Sequence, residues 1–131
     1  MAFSDVKAGA GHRVVLYGPG GIGKTTLATL APGPVVFLDL DDSLPRLRGG
    51  LSTEPRVVEA GGWSDIRAAL QSDGWDGIKT IVLDSATRAE ELCVAHTLAT
   101  VRHEKGHQVT SIEGYGYGKG YMHVFDTFLP L

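Results

Sequence analysis

Gly18-Pro19-Gly20-Gly21-Ile22-Gly23-Lys24-Thr25-Thr26 gathers four glycines, one lysine and two hydroxyls within nine residues. The order fits G-x-x-x-x-G-K-[ST], a loop that wraps phosphate. A polyphosphate is a dense anion that backbone N–H groups must meet at close range. Glycine permits that approach because it adopts φ/ψ values barred to other residues. A helix following the loop adds unpaired N–H groups and a partial positive charge. In this pattern Lys24 reaches the β- and γ-phosphates and the Thr25 hydroxyl holds Mg²⁺. Thr26 offers a further hydroxyl near the α-phosphate.

Two acidic sites could complement that loop. Thr80-Ile81-Val82-Leu83-Asp84-Ser85 reads as a buried strand ending in a carboxylate. Asp84 would coordinate Mg²⁺ through a water, beside Thr25. Thr87-Arg88-Ala89-Glu90 fits a capping box for the next helix, which leaves Asp84 free for that task. Upstream, Val35-Val36-Phe37-Leu38 reads as a second buried strand and runs into Asp39-Leu40-Asp41-Asp42. Ligands of open α/β sheets bind at such C-terminal strand ends.

These groups can meet only if strands and helices alternate around one sheet. Arg13-Val14-Val15-Leu16-Tyr17 predicts a buried strand leading into the loop, and Thr25 to Leu30 predicts a helix stopped by Ala31-Pro32. Arg56-Val57-Val58-Glu59 predicts a short strand after an irregular stretch over 43–56. Ser64 is placed to cap a helix over 65–72, flanked by Trp63 and Trp75 as packing residues. A helix over 87–100 would bury Leu92, Ala95, Leu98 and Ala99, and a final amphipathic helix runs from Tyr121 to Leu129. The expected fold is α/β: a mainly parallel sheet with helices on both faces. Residues 1–12 read as a loose lead-in to a single nucleotide-binding domain over 13–131.

Composition narrows the class. A net charge of −3 means that any nucleic-acid binding must be local rather than spread over the whole chain. The single cysteine, Cys93, excludes an internal disulfide and suits a reducing compartment. No apolar run approaches the roughly 20 residues of a membrane span, and Met1 to His12 lacks an apolar signal core. The expectation is a cytoplasmic protein without a membrane partner. Local positive charge does occur after the fourth predicted strand. Arg102, Lys105 and Lys119 surround Gly114-Tyr115-Gly116-Tyr117-Gly118, so Tyr115 and Tyr117 could stack on the bases of single-stranded DNA while the cations meet phosphates. Cys93, His96, His103 and His107 include one acceptable zinc spacing. A lone cysteine with no C-x-x-C partner makes a surface or core role the preferred reading.

With both nucleotide motifs placed, the chain resembles the RecA-like branch of P-loop ATPases. More narrowly, it resembles the phage-encoded AAA-type ATP-binding proteins related to RecA-like single-strand annealing proteins. The phosphate loop, Phe37-Leu38-Asp39-Leu40-Asp41, Leu83-Asp84-Ser85 and the Gly/Tyr segment over 113–121 carry the likeness, which spans most of residues 13–129. The resemblance implies ATP and Mg²⁺ as ligands, hydrolysis to ADP and phosphate, and a role in phage DNA recombination or annealing. It also implies a homo-oligomer of the full-length domain. In that branch a carboxylate ending the second strand activates the attacking water. The matching residue is Asp41, where the family often has Glu, and Asp39 and Asp42 lie near enough to compete. Lys24 and the loop amides would stabilise charge on the γ-phosphate. The competing reading is a nucleotide-dependent switch or assembly module with little hydrolysis. Pro19 stands where the partition ATPases carry a second lysine, and Ser85 where the resistance and apoptosis-type signalling ATPases show another acid. No guanine-reading Asn-Lys-x-Asp stretch is present.

The resemblance further implies a central strand between the phosphate-loop strand and the Asp84 strand, and later than both in sequence. All four strand candidates lie at or before residue 85. The expectation is therefore a longer protein, of about 200 residues or more by analogy, in which residues 1–131 alone fold poorly because strand edges stay unpaired.

Overall fold

Val35-Val36-Phe37-Leu38 is buried at four successive positions. A strand can lose solvent on both faces only at the centre of a sheet covered on both sides. The computed structural model, which describes residues 1–2, 11–47 and 49–131, shows that arrangement. Strand β1 (Val35–Asp39) lies between β2 (Arg56–Val57) and β3 (Thr80–Asp84), all parallel. Val35 pairs with Thr80 and Asp39 with Asp84, so the two acids end their strands side by side.

Side-chain alternation then sorts the helices. Phe37 and Val35 face Leu44 and the partly buried Ala28, Ala31 and Val82. Ala28 belongs to α1 (Lys24–Thr29) and Leu44 to α2 (Ser43–Arg46). Leu38 points to the opposite face, where Trp63, Ile66, Ala89 and Cys93 close the larger core. That face is built by α3 (Trp63–Leu70), α4 (Ala86–Thr100) and α5 (Lys119–Phe128). Trp63 is 2% exposed and stacks on Phe128 with ring centroids 5.1 Å apart. Trp75 packs against the same cluster and donates its indole N–H to the Ala69 carbonyl at 2.9 Å. The architecture is α/β and P-loop-like, with helices on both faces of a parallel sheet.

Several expectations change. Residues 13–17 form no strand, and Val14, Val15, Leu16 and Tyr17 are all exposed, Val15 at 88%. A strand exists only by pairing with a neighbour, and among the described residues no strand follows β3 to provide one. Among the described residues the sheet therefore has three strands rather than four. The irregular stretch over 43–56 contains the one-turn helix α2, and β2 ends two residues early. Helix α3 starts at Trp63 rather than after Ser64, because Asp65 Oδ2 accepts from the N–H groups of Gly61 and Gly62, both at 2.9 Å. Helix α4 is capped by Ser85, whose Oγ accepts from the Arg88 N–H at 3.2 Å, not by Thr87. Its buried face is Ala89, Cys93 and Thr97, while Ala95 and Ala99 are exposed. The lead-in expected over 1–12 falls largely on residues 3–10, outside the described residues.

Small side chains allow α5 to approach closely. A Cβ on Gly120 would stand 2.1 Å from the Ile112 carbonyl oxygen, with the carbonyl carbon itself at 2.9 Å. Backbone cannot step aside as a side chain can. Gly120→Ala is expected to cost about 1–3 kcal/mol through overpacking, read as a lowered urea midpoint. An unchanged midpoint would mean that the Ile112–Tyr115 turn shifts freely away from α5.

Candidate functional site

The site is assembled where parallel strands end and α1 begins. Gly21 and Gly23 have φ of 77° and 101°, in the left-handed region where a side chain is strained. Space is not the reason for glycine here, since a Cβ at Gly20, Gly21 or Gly23 would meet nothing within 4 Å. The mouth of the loop is open, and Gly23 turns the chain directly into α1 at Lys24.

Lys24 folds back over this loop. Its ammonium donates to the carbonyls of Gly18 at 2.7 Å and Pro19 at 2.8 Å. One residue on, the Thr25 hydroxyl donates to Asp84 Oδ2 at 2.6 Å. The two residues are 59 apart in sequence, and the contact joins the phosphate loop to the end of β3. A hydroxyl beside a carboxylate is a hard oxygen pair, the donor type suited to Mg²⁺. Of the remaining loop residues, Ile22 is exposed, and Thr26 accepts at its carbonyl from the Thr29 hydroxyl at 2.6 Å. Val15, Leu16, Tyr17, Ile22 and Leu27 form an apolar flank around Lys24.

The three acids after β1 separate by partner. Asp39 accepts from two backbone donors, with Oδ1 taking the Ser43 N–H at 2.8 Å and Oδ2 the Leu44 N–H at 3.0 Å. Both carboxylate oxygens are therefore spent on the first turn of α2. Asp42 is the N-cap of that helix by position, at φ 51°, yet makes no side-chain capping bond. Asp41 is exposed. The capping role of Asp39 was missed in the sequence, where the acid four residues before Ser43 was the available signal.

The basic and aromatic loop does not assemble as expected. Tyr115 is 3% exposed and its hydroxyl donates to the carbonyls of Thr97 and Val101, which burial of the phenol accompanies by pushing its pKa up. Its ring also meets His123 edge-on at 4.9 Å. Tyr115 therefore anchors the 3-10 turn Ile112–Tyr115 to α4, and its faces are closed to a base. Tyr117 is the opposite case, fully exposed at φ 50° between Gly116 and Gly118. Lys119 donates to Glu104 at 2.6 Å, and that cation holds the Glu104 carboxyl below the usual range. Arg102 and Lys105 are exposed beside it. His103 and His107 stack on one another at 4.4 Å in a tight turn, whereas Cys93 is sealed in the core with its thiol pushed up by burial. Among the described residues no three such groups gather to hold a metal, and no helix is long and apolar enough to cross a membrane.

No curated protein and no solved structure matches the chain. A family model described as AAA domain does, over residues 10–130. That span takes in the phosphate loop, the paired strand ends and the Thr25–Asp84 contact, and with nearly the whole chain matched the protein belongs to the AAA domain family, whose members bind nucleotide.

Proposed function

We propose that this chain binds ATP with Mg²⁺ at the loop over residues 18–26 and hydrolyses it to ADP and phosphate. The Thr25–Asp84 hydrogen bond carries the reading, because it brings a hydroxyl of the loop onto the acid that ends β3. The loop N–H groups of Gly18, Gly20, Gly21, Ile22 and Gly23 take the phosphate oxygens, while Pro19, which has no N–H, lines the loop between them, and Lys24 exchanges its two carbonyl partners for the β- and γ-phosphates. Thr25 would hold the metal directly and Asp84 through a water, while Thr26 faces the α-phosphate. Held by Thr25 and Asp84, Mg²⁺ would supply positive charge to offset that on the phosphate oxygens. Asp41 orients the attacking water and draws its proton as the oxygen reaches phosphorus. Asp39 is less suited to that role, since both of its oxygens already accept backbone hydrogen bonds.

The finer reading is a RecA-like ATPase serving phage DNA recombination or annealing, as a cytoplasmic homo-oligomer. The free Tyr117 ring supports single-stranded DNA as the partner, with Arg102 and Lys105 on its phosphates and Lys119 only after release from Glu104.

Asp84→Asn tests the core of the proposal. It keeps the size of the side chain and an oxygen for Thr25 but removes the charge. ATP affinity in excess EDTA should stay near wild type, while the tightening produced by Mg²⁺ is lost together with turnover, by about 10²-fold or more. An Asp84→Asn protein that still binds ATP more tightly with Mg²⁺ would exclude Asp84 from the metal site.

A further inference from the structure

The turn that carries Asp41 is fixed at both ends. At its start, the Leu40 N–H donates to the Asp84 carbonyl at 2.6 Å, so the backbone leaving β1 remains bonded to the end of β3. At its finish, the Asp39 carboxylate holds the N–H groups of Ser43 and Leu44. Between these points Asp42 is kept in the left-handed region at φ 51° and ψ 41°. A non-glycine residue there persists only when its surroundings over-determine it. The usual capping geometry would use the residue just before the helix. Here that residue, Asp42, makes no capping bond, and the acceptor sits three residues further back on the strand. The consequence is a short rigid loop with Asp41 near its apex and its carboxylate uncommitted to any bond within the described residues.

We propose that Asp39 is a positioning residue for ATP hydrolysis, clamping the first turn of α2 so that Asp41 is held at the same sheet end as Thr25 and Asp84. The inference rests on the ATPase reading above. Asp39 need not touch nucleotide, water or metal. It acts through geometry, by holding the 40–44 turn against the strand ends. Loss of that clamp frees the turn while leaving the phosphate loop, Lys24 and the Thr25–Asp84 pair in place. Its signature is therefore a fall in kcat with little change in ATP affinity, since a base displaced by about 1 Å can cost 10²-fold in rate.

Steady-state ATP turnover and equilibrium binding of a fluorescent ATP analogue, measured on the full chain with Asp39→Ala, Asp39→Asn and Asp41→Asn, test this. Asp39→Ala should lower kcat by about 10- to 100-fold with ATP affinity changed less than about threefold. Asp39→Asn keeps one acceptor oxygen and should recover most of that loss, whereas Asp41→Asn should not turn over. If Asp39→Ala does not fold, the Asn variants decide between themselves. Asp39→Asn as inactive as Asp41→Asn would make Asp39 itself a catalytic residue and overturn the proposal, as would wild-type turnover in Asp39→Ala. A wild-type protein that binds ATP without hydrolysing it would remove the ATPase reading and the inference with it, a result distinct from either of those.

Discussion

Lys24→Ala should abolish ATP binding at concentrations that saturate the wild-type protein. The Lys24 ammonium is the cation that the loop itself supplies, and it is poised on the Gly18 and Pro19 carbonyls at 2.7 and 2.8 Å. On the proposed reading those neutral acceptors would be exchanged for phosphate oxygens as nucleotide enters, so the gain would be the difference between a carbonyl and an anion. A hydrogen bond to a charged group contributes about 1.5–3 kcal/mol. Two such bonds to the β- and γ-phosphates correspond to a loss of at least about 10²-fold in affinity. Hydrolysis should fall further, because the charge on the γ-phosphate grows in the transition state. Titration of a fluorescent ATP analogue reads the first effect and phosphate release the second. Lys24→Arg should rescue neither fully, since a planar guanidinium cannot occupy the place of a compact ammonium over so tight a turn. Affinity within about threefold of wild type in Lys24→Ala would show that the loop does not grip triphosphate through this side chain.

The second large effect concerns the fold that holds the site. Trp63→Ala should lower stability by about 3–5 kcal/mol, the range for truncating a buried Trp or Phe. Trp63 opens α3, fills the space between Leu38 of β1 and Ala89 and Cys93 of α4, and stacks on Phe128 of α5. It thus ties the sheet to all three helices on that face. With total stability of a domain this size typically about 5–15 kcal/mol, the loss takes a large share, and thermal unfolding should shift down by about 10–20 °C. One detail sharpens the test. The Trp63 indole N–H is buried without a partner among the described residues, and leaving such a donor unpaired costs about 1–3 kcal/mol. Trp63→Phe deletes that donor and preserves most of the ring, so it should be much milder than Trp63→Ala. Equal shifts for the two variants would mean that the stacked ring contributes little.

The candidate site was legible in the sequence where residues carry their meaning locally. A glycine loop ending in Lys24-Thr25, and an acid ending an apolar strand, are chemical signatures independent of distant contacts. Their meeting at 2.6 Å follows once both strands are parallel. What failed depended on partners that local pattern does not reveal. The β-branched run at Val14-Val15 reads as strand, but a strand is a property of a pair, and among the described residues β3 is bonded only to β1. The buried face of α4 was misplaced because alanines occur on several sides of that helix, and the helices packed against it, not the periodicity, select Ala89 over Ala95 and Ala99. Tyr115 and Tyr117 look equivalent in a Gly/Tyr alternation, yet one is sealed against α4 and the other stands in solvent. Asp39 and Asp41 also look alike two residues apart. Only the start of α2 distinguishes them, by taking both oxygens of the first.

Cys93 gives the core a reporter of its own. It is the one thiol in the chain, fully buried among Leu38, Trp63, Ile66 and Ala89, and burial raises its pKa. Reagents that attack thiolates will find it silent in the native state and reactive once α3, α4 and α5 separate. The labelling rate of the unmodified protein therefore counts openings of the layer that supports β1 and β3. Measured with and without ATP and Mg²⁺, it connects occupancy of the phosphate loop on one face of the sheet to the stability of the opposite face.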